Sequence, residues 1–163
     1  MGSALAAGRR LPDFSLRDPA GRVHTRASLA AEGLILVVTA PTLASEDAQR
    51  GWDDHLRAAR PAEVRGRVAF LEDLDQSWFP DMAVRAMRET YDPGSDPVLL
   101  LDRKGAIRRA LGVERGATVL LVYDAAGERC HRDAGAPSAA GARRAWSALL
   151  GDVVRADPTT PPR

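Results

Sequence analysis

Six consecutive apolar or β-branched residues, Leu34-Ile35-Leu36-Val37-Val38-Thr39, follow Gly33 and run toward Pro41. A run of this length between chain breakers predicts a strand buried on both faces. Such a strand needs neighbours at its sides and helices above and below, so it argues for an α/β chain with a central mixed sheet flanked by helices. A short loop, Ala40-Pro41-Thr42-Leu43-Ala44-Ser45, leads into Glu46–Leu56. There Ala48, Trp52, Leu56 and Ala59 recur at helical spacing and share one side. Ser45 reads as the N-cap, with Glu46 and Asp47 placing negative charge in the first turn. Chemistry in α/β sheets gathers at the carboxyl ends of such strands, which makes the Pro41–Ser45 loop the expected site.

The remaining pattern fits around that strand. Phe14 and Leu16 alternate with polar residues, Asp18-Pro19-Ala20-Gly21 is a turn, and Arg22–Thr25 returns as the second arm of an N-terminal β-hairpin. Ser28 begins a helical turn that ends at Gly33. Arg67–Leu71, Val98–Asp102 and Val119–Asp124 read as further strands, and Glu128–Arg132 as the return arm of a closing hairpin. Ser77 is the expected cap of a helix containing Phe79, Pro80, Ala83, Met87 and Tyr91, with the apolar members at intervals of four. A last helix follows Ser138, with Ala142, Trp146, Leu149, Leu150 and Val153 inward. The expected division is a tag-like N-terminus at 1–10, one domain at 11–154 and a Pro-rich tail at 155–163.

Totals narrow the function classes. A chain of 163 residues suits one domain. Its net charge of +1 gives no reason to expect nucleic acid or an anionic membrane as partner. Lys104 is the only lysine, an arginine bias that a G- and C-rich genome also produces. No apolar run approaches the roughly 20 residues that span a bilayer. The cytoplasm is the expected compartment, with a removed signal peptide left open by the Met1-Gly2-Ser3 start.

The spacing Pro41-x-x-x-Ser45-x-x-Ala48 resembles the peroxiredoxin motif Pro-x-x-x-Thr/Ser-x-x-Cys in every place but the last. The hairpin entry beginning Leu11-Pro12-Asp13-Phe14 and the stretch Pro97–Asp102 followed by Ala110-Leu111-Gly112-Val113 are also similar to that family. The resemblance covers roughly Leu11 to Leu150. It implies a thioredoxin-like fold in which Pro41 shields the site, the Ser45 hydroxyl holds a peroxide, and Arg115 stabilises a thiolate. Ala48 stands in the place of that thiolate, and a methyl group cannot attack a peroxide. A Cys-x-x-Cys loop is absent as well. The implied protein is a redoxin of the AhpC/TSA type without its peroxidatic cysteine. It would have no cofactor and no peroxidase activity, and would bind a partner protein or small ligand at the Pro41–Ser45 loop, or pair as a homodimer.

The alternative is a thiol oxidoreductase working through Cys130, the sole cysteine. Arg129, His131 and Arg132 surround it, and cations lower a thiol's pKa. Strand alternation, however, sends Arg129 and His131 to the face opposite Cys130, where an inward thiol serves as a small apolar filler. Glu72, Asp73, Asp75 and Asp102 lie at strand ends, where solvated carboxylates are expected and a divalent cation site is the lesser reading. His24, His55 and His131 match no zinc spacing, and no metal is expected. Ser45 has no elbow motif to make it a nucleophile.

Overall fold

The computed structural model describes residues 9–156, and side chains as far as residue 151. The expected tag-like segment and Pro-rich tail fall largely outside these residues, and so does the side chain of Val153. The described chain runs β1 (Ser15–Arg17), β2 (Val23–Thr25), α1 (Arg26–Leu29), β3 (Leu34–Thr39), α2 (Leu43–Ala59) and β4 (Arg67–Asp73). After a 3₁₀ turn at Leu74–Gln76 come α3 (Pro80–Thr90), β5 (Val98–Asp102), α4 (Ala106–Ala110), β6 (Val119–Tyr123), β7 (Arg129–Asp133) and α5 (Ala139–Ala156).

The seven strands form one mixed sheet in the order β2-β1-β5-β4-β3-β6-β7. β3 lies parallel to β4 and antiparallel to β6, and β4 lies parallel to β5. The β1–β2 hairpin caps one edge with Leu16 opposite His24. All six residues of β3 are buried, as a strand with covered faces requires. Alternation splits them between two cores. Leu34, Leu36 and Val38 join Leu29, Leu111 and Tyr123 on one face. Ile35 and Val37 join Trp52, Leu56, Val122 and Trp146 on the other. There α2 packs on α5, and the Trp146 indole donates to the Leu56 carbonyl at 3.0 Å. Gly33 sits at φ +92° against Leu149, where a side chain would be strained and would also overlap the leucine.

Two helix starts differ from expectation. Thr42 caps α2, its hydroxyl accepting from the Ser45 N–H at 3.2 Å. Thr42 and Ser45 are both cap-competent types, and the helix takes the earlier one, so Ser45 lies inside the first turn. α3 begins at Pro80 with Phe79 at the N-cap, and Ser77 accepts only from the Phe79 N–H. Because the helix starts later than Ser77, its buried residue is Val84, while Phe79 is 68% exposed.

Candidate functional site

The carboxyl ends of β3, β4 and β5 converge on a single edge of the sheet, and four groups of residues occupy it. The first is the Pro41–Ser45 loop. Pro41 is half-buried and Ser45 is buried, with the Thr42 hydroxyl donating to Ser45 Oγ at 3.1 Å. Ser45 is thus tied into the cap. Ala48 is half-buried in the second turn of α2, beyond the uncapped N–H groups of the first turn. A nucleophile drawing on the helix dipole would sit nearer Leu43, the first helical residue, which is 81% exposed.

The second group is Arg115 and its loop. The Arg115 guanidinium donates to the Asp75 carboxylate at 3.2 Å and to the Asp75 carbonyl at 3.1 Å. The Gly116 N–H donates to Gln76 Oε1 at 2.7 Å. The loop before β6 is therefore laced to the turn after β4. Among the described residues no hydrogen bond or ion pair joins Arg115 to Ser45, so the anion site expected between them is not assembled.

Third are the strand-end carboxylates, of which Glu72, Asp73 and Asp102 are buried rather than solvated while Asp75 is exposed. Asp102 accepts from the N–H groups of Ala106, Ile107 and Arg108, and so caps α4. Asp73 meets the Arg108 guanidinium at 2.6 Å and accepts from Gln76 at 2.8 Å. Arg108 also donates to the Val113 carbonyl at 2.6 Å. Caps and an internal ion pair take up these charges. Glu72 is different. Its Oε2 accepts from the Thr39 hydroxyl at 2.8 Å. Burial pushes its pKa up, the nearby charges of Glu46 and Asp73 add to the rise, and the Thr39 hydrogen bond opposes it. Among the described residues no three His, Cys, Asp or Glu side chains gather as a metal site.

Fourth is an apolar surface. Trp78 is 93% exposed and Met82 67%, at the start of α3 beside Phe79. With Leu43 they place four large hydrophobic side chains in water at the end of the sheet where the loop lies. The four-residue spacing of Phe79, Ala83, Met87 and Tyr91 hides this surface in the sequence, because it draws Phe79 into the helix. Pro80 carries the correcting signal, because proline favours the first helical position and leaves Trp78 and Phe79 outside the helix.

Cys130 lies elsewhere. It is exposed on β7, and its thiol contacts the Val122 carbonyl at 3.5 Å. The register shifts here, so that Arg129 pairs with Tyr123 and His131 with Val122, residues of opposite faces. Burial along β7 still alternates, with Arg129 and His131 half-buried and Cys130 and Arg132 exposed, so Cys130 stands opposite those two neighbours but on the uncovered side of an edge strand. The inward filler is corrected accordingly. Val122 pairs with Ile35, near the amino end of β3, whereas Pro41 follows its carboxyl end.

No family model matches the chain, and no curated protein matches its sequence. Solved structures do match its shape. MTB dsbF superposes with a TM-score of 0.63 at 20% identity, covering 83% of this chain and 94% of that one. The pneumococcal exposed lipoprotein thioredoxin Etrx1 from Streptococcus pneumoniae superposes with a TM-score of 0.62 at 15% identity, covering 88% and 99%. The fold is thioredoxin-like. In this thioredoxin-like chain the helix that follows the central strand opens with Leu43-Ala44-Ser45-Glu46, and the single cysteine lies on another strand. No described helix is long and apolar enough to cross a membrane.

Proposed function

We propose that this thioredoxin-like chain is an interaction module without a peroxidase cycle, docking a partner protein at the carboxyl end of its sheet. The observation that carries the reading is the exposed set Leu43, Trp78, Phe79 and Met82 beside a loop that holds no thiol. Exposed apolar side chains at one end of a sheet mark interaction surfaces, and aromatic residues and methionine are enriched in such surfaces. Pro41, Ser45 and Ala48 then serve as the shape of the docking loop, and Arg115 braces the neighbouring turn through Asp75.

The test has two parts. Purified protein should neither consume hydrogen peroxide nor reduce insulin with any thiol donor. A photo-crosslinker at position 78 should capture a discrete partner that one at exposed Arg132 on β7 does not. Peroxide or disulfide turnover that disappears in Cys130→Ser would overturn the proposal.

The exposure of Cys130 favours a second reading, thiol exchange at the β-bulge. That reading requires a Cys130 thiol pKa well below the reference of about 8.5. An ordinary value in a pH-dependent alkylation series would dismiss it.

A further inference from the structure

Between α2 and α3, over β4 and β5, lies a cavity of about 450 Å³, within the size range of small-molecule sites. Phe70 and Leu99 line it from the sheet, with Met87, Tyr91 and Pro97 on the α3 side. Glu72 lines it too, although the residue as a whole is 3% exposed. The Thr39 hydroxyl reaches Glu72 Oε2, and among the described residues no donor reaches Oε1. An ionised carboxylate accepts about four hydrogen bonds, so the remaining capacity of this one is open to whatever occupies the cavity.

The charge around the cavity says what that occupant is. The other charged groups lining it are Glu46, Arg50, Asp53 and Arg57 from α2, and Asp92 beyond α3. Arg57 is held by Asp53 at 2.8 Å. Glu46, Glu72 and Asp92 then face a single remaining guanidinium, that of exposed Arg50, and the space favours a cation. A hard metal ion does not suit it, since such ions want six or more oxygen ligands and the carboxylates are not gathered into a cluster. An organic cation does suit it. Phe70, Leu99 and Met87 offer apolar surface, and the rings of Phe70 and Tyr91 offer the negative faces that attract ammonium groups.

We propose that this cavity binds a small organic ammonium ion, with the charged nitrogen on Glu72 and the apolar body against Phe70 and Leu99. The site is independent of the docking face at Leu43 and Trp78, so either can fail without the other.

Calorimetric titration of the full chain with phenethylammonium and with its neutral counterpart 2-phenylethanol tests the proposal. The amine is expected to bind at least about tenfold more tightly than the alcohol. Glu72→Gln keeps the side-chain shape and should bring the two to within about twofold. Met87→Trp fills the cavity from α3 without altering any charge and should abolish binding of both. Calcium chloride should give no binding heat. Equal affinity for amine and alcohol, no amine binding at millimolar concentration, or amine binding untouched by Glu72→Gln would each overturn the assignment. If Glu72→Gln does not fold by circular dichroism, the preference for amine over alcohol and the Met87→Trp result decide.

Discussion

Across the β3–β4 ladder the Thr39 hydroxyl donates to Glu72 Oε2 at 2.8 Å, with both residues buried at the end of the central strands. Burial holds the Glu72 carboxyl above its ordinary value of 4.5, so the folded state keeps a proton that the unfolded chain has released. Stability from this residue is therefore fully present below 4.5 and is lost as pH rises through the raised folded value. Urea denaturation across mildly acidic to mildly basic pH should show the decline, with a slope of at most about 1.4 kcal/mol per pH unit from this one group. Glu72→Gln should remove that slope and be the more stable protein at the basic end. Thr39→Val takes away the opposing hydrogen bond and should steepen it.

Asp18 works in the opposite sense. Burial alone would push its carboxyl up, yet hydrogen bonds from His24, the Arg22 N–H and Tyr91, with the charge of His24, bring it below 3.8. Its contribution is present above 3.8 and lost as pH falls through the depressed value. Asp18→Asn should weaken the acid-dependent loss seen below 3.8 and lower stability at neutral pH, read by the same denaturation series.

Placement of Ala48 in the second turn of α2 makes a cysteine scan informative. In a Cys130→Ser background, Leu43→Cys should carry a thiol pKa about one unit below the reference of about 8.5, since it meets the uncapped N–H groups. Ala48→Cys should titrate near the reference. Iodoacetamide rates against pH distinguish the two, and a depressed value at position 48 alone would restore the peroxiredoxin-like frame.

Arg108 joins Asp73 to the Val113 carbonyl inside the protein. Arg108→Met strands Asp73 without its cation and should cost about 3–5 kcal/mol in urea denaturation. It should also speed hydrogen exchange in the loop before β6, which Arg108 holds through Val113 and Gln76 holds at Gly116.

Cys130 should react with a disulfide reagent in the native state, without denaturant, because its thiol lies on the exposed bulge of β7. Cys130→Ser should shift stability by less than about 0.5 kcal/mol, as surface substitutions do.

Much of the scaffold was legible beforehand. Leu34–Thr39 announced itself because burial on both faces leaves no polar position in the run, and the β1–β2 hairpin because its turn carries proline and glycine. What escaped depended on contacts distant in the chain. Thr42 and Ser45 compete for one cap, and local sequence does not rank them. Carboxylates at strand ends are solvated by default, and only the packing of Arg108 and α4 shows that Asp73 and Asp102 are enclosed. That one face of the edge strand β7 stays uncovered, leaving Cys130 in water, is likewise set by distant packing. At the site itself, Pro41 fell on the expected loop and Ala48 on the expected helix, but Ser45 moved from the cap into the first turn and Arg115 went to Asp75.

β3 is hydrogen-bonded along both sides, to β4 and β6, and shielded above and below. Its pairing and its two cores draw on none of the residues from Pro41 to Ala44. The exposed positions between Pro41 and Ser45, outside the Thr42 cap, can therefore be rewritten, as an adaptor, a blank or a graft of new reactivity, while the platform beneath keeps its shape.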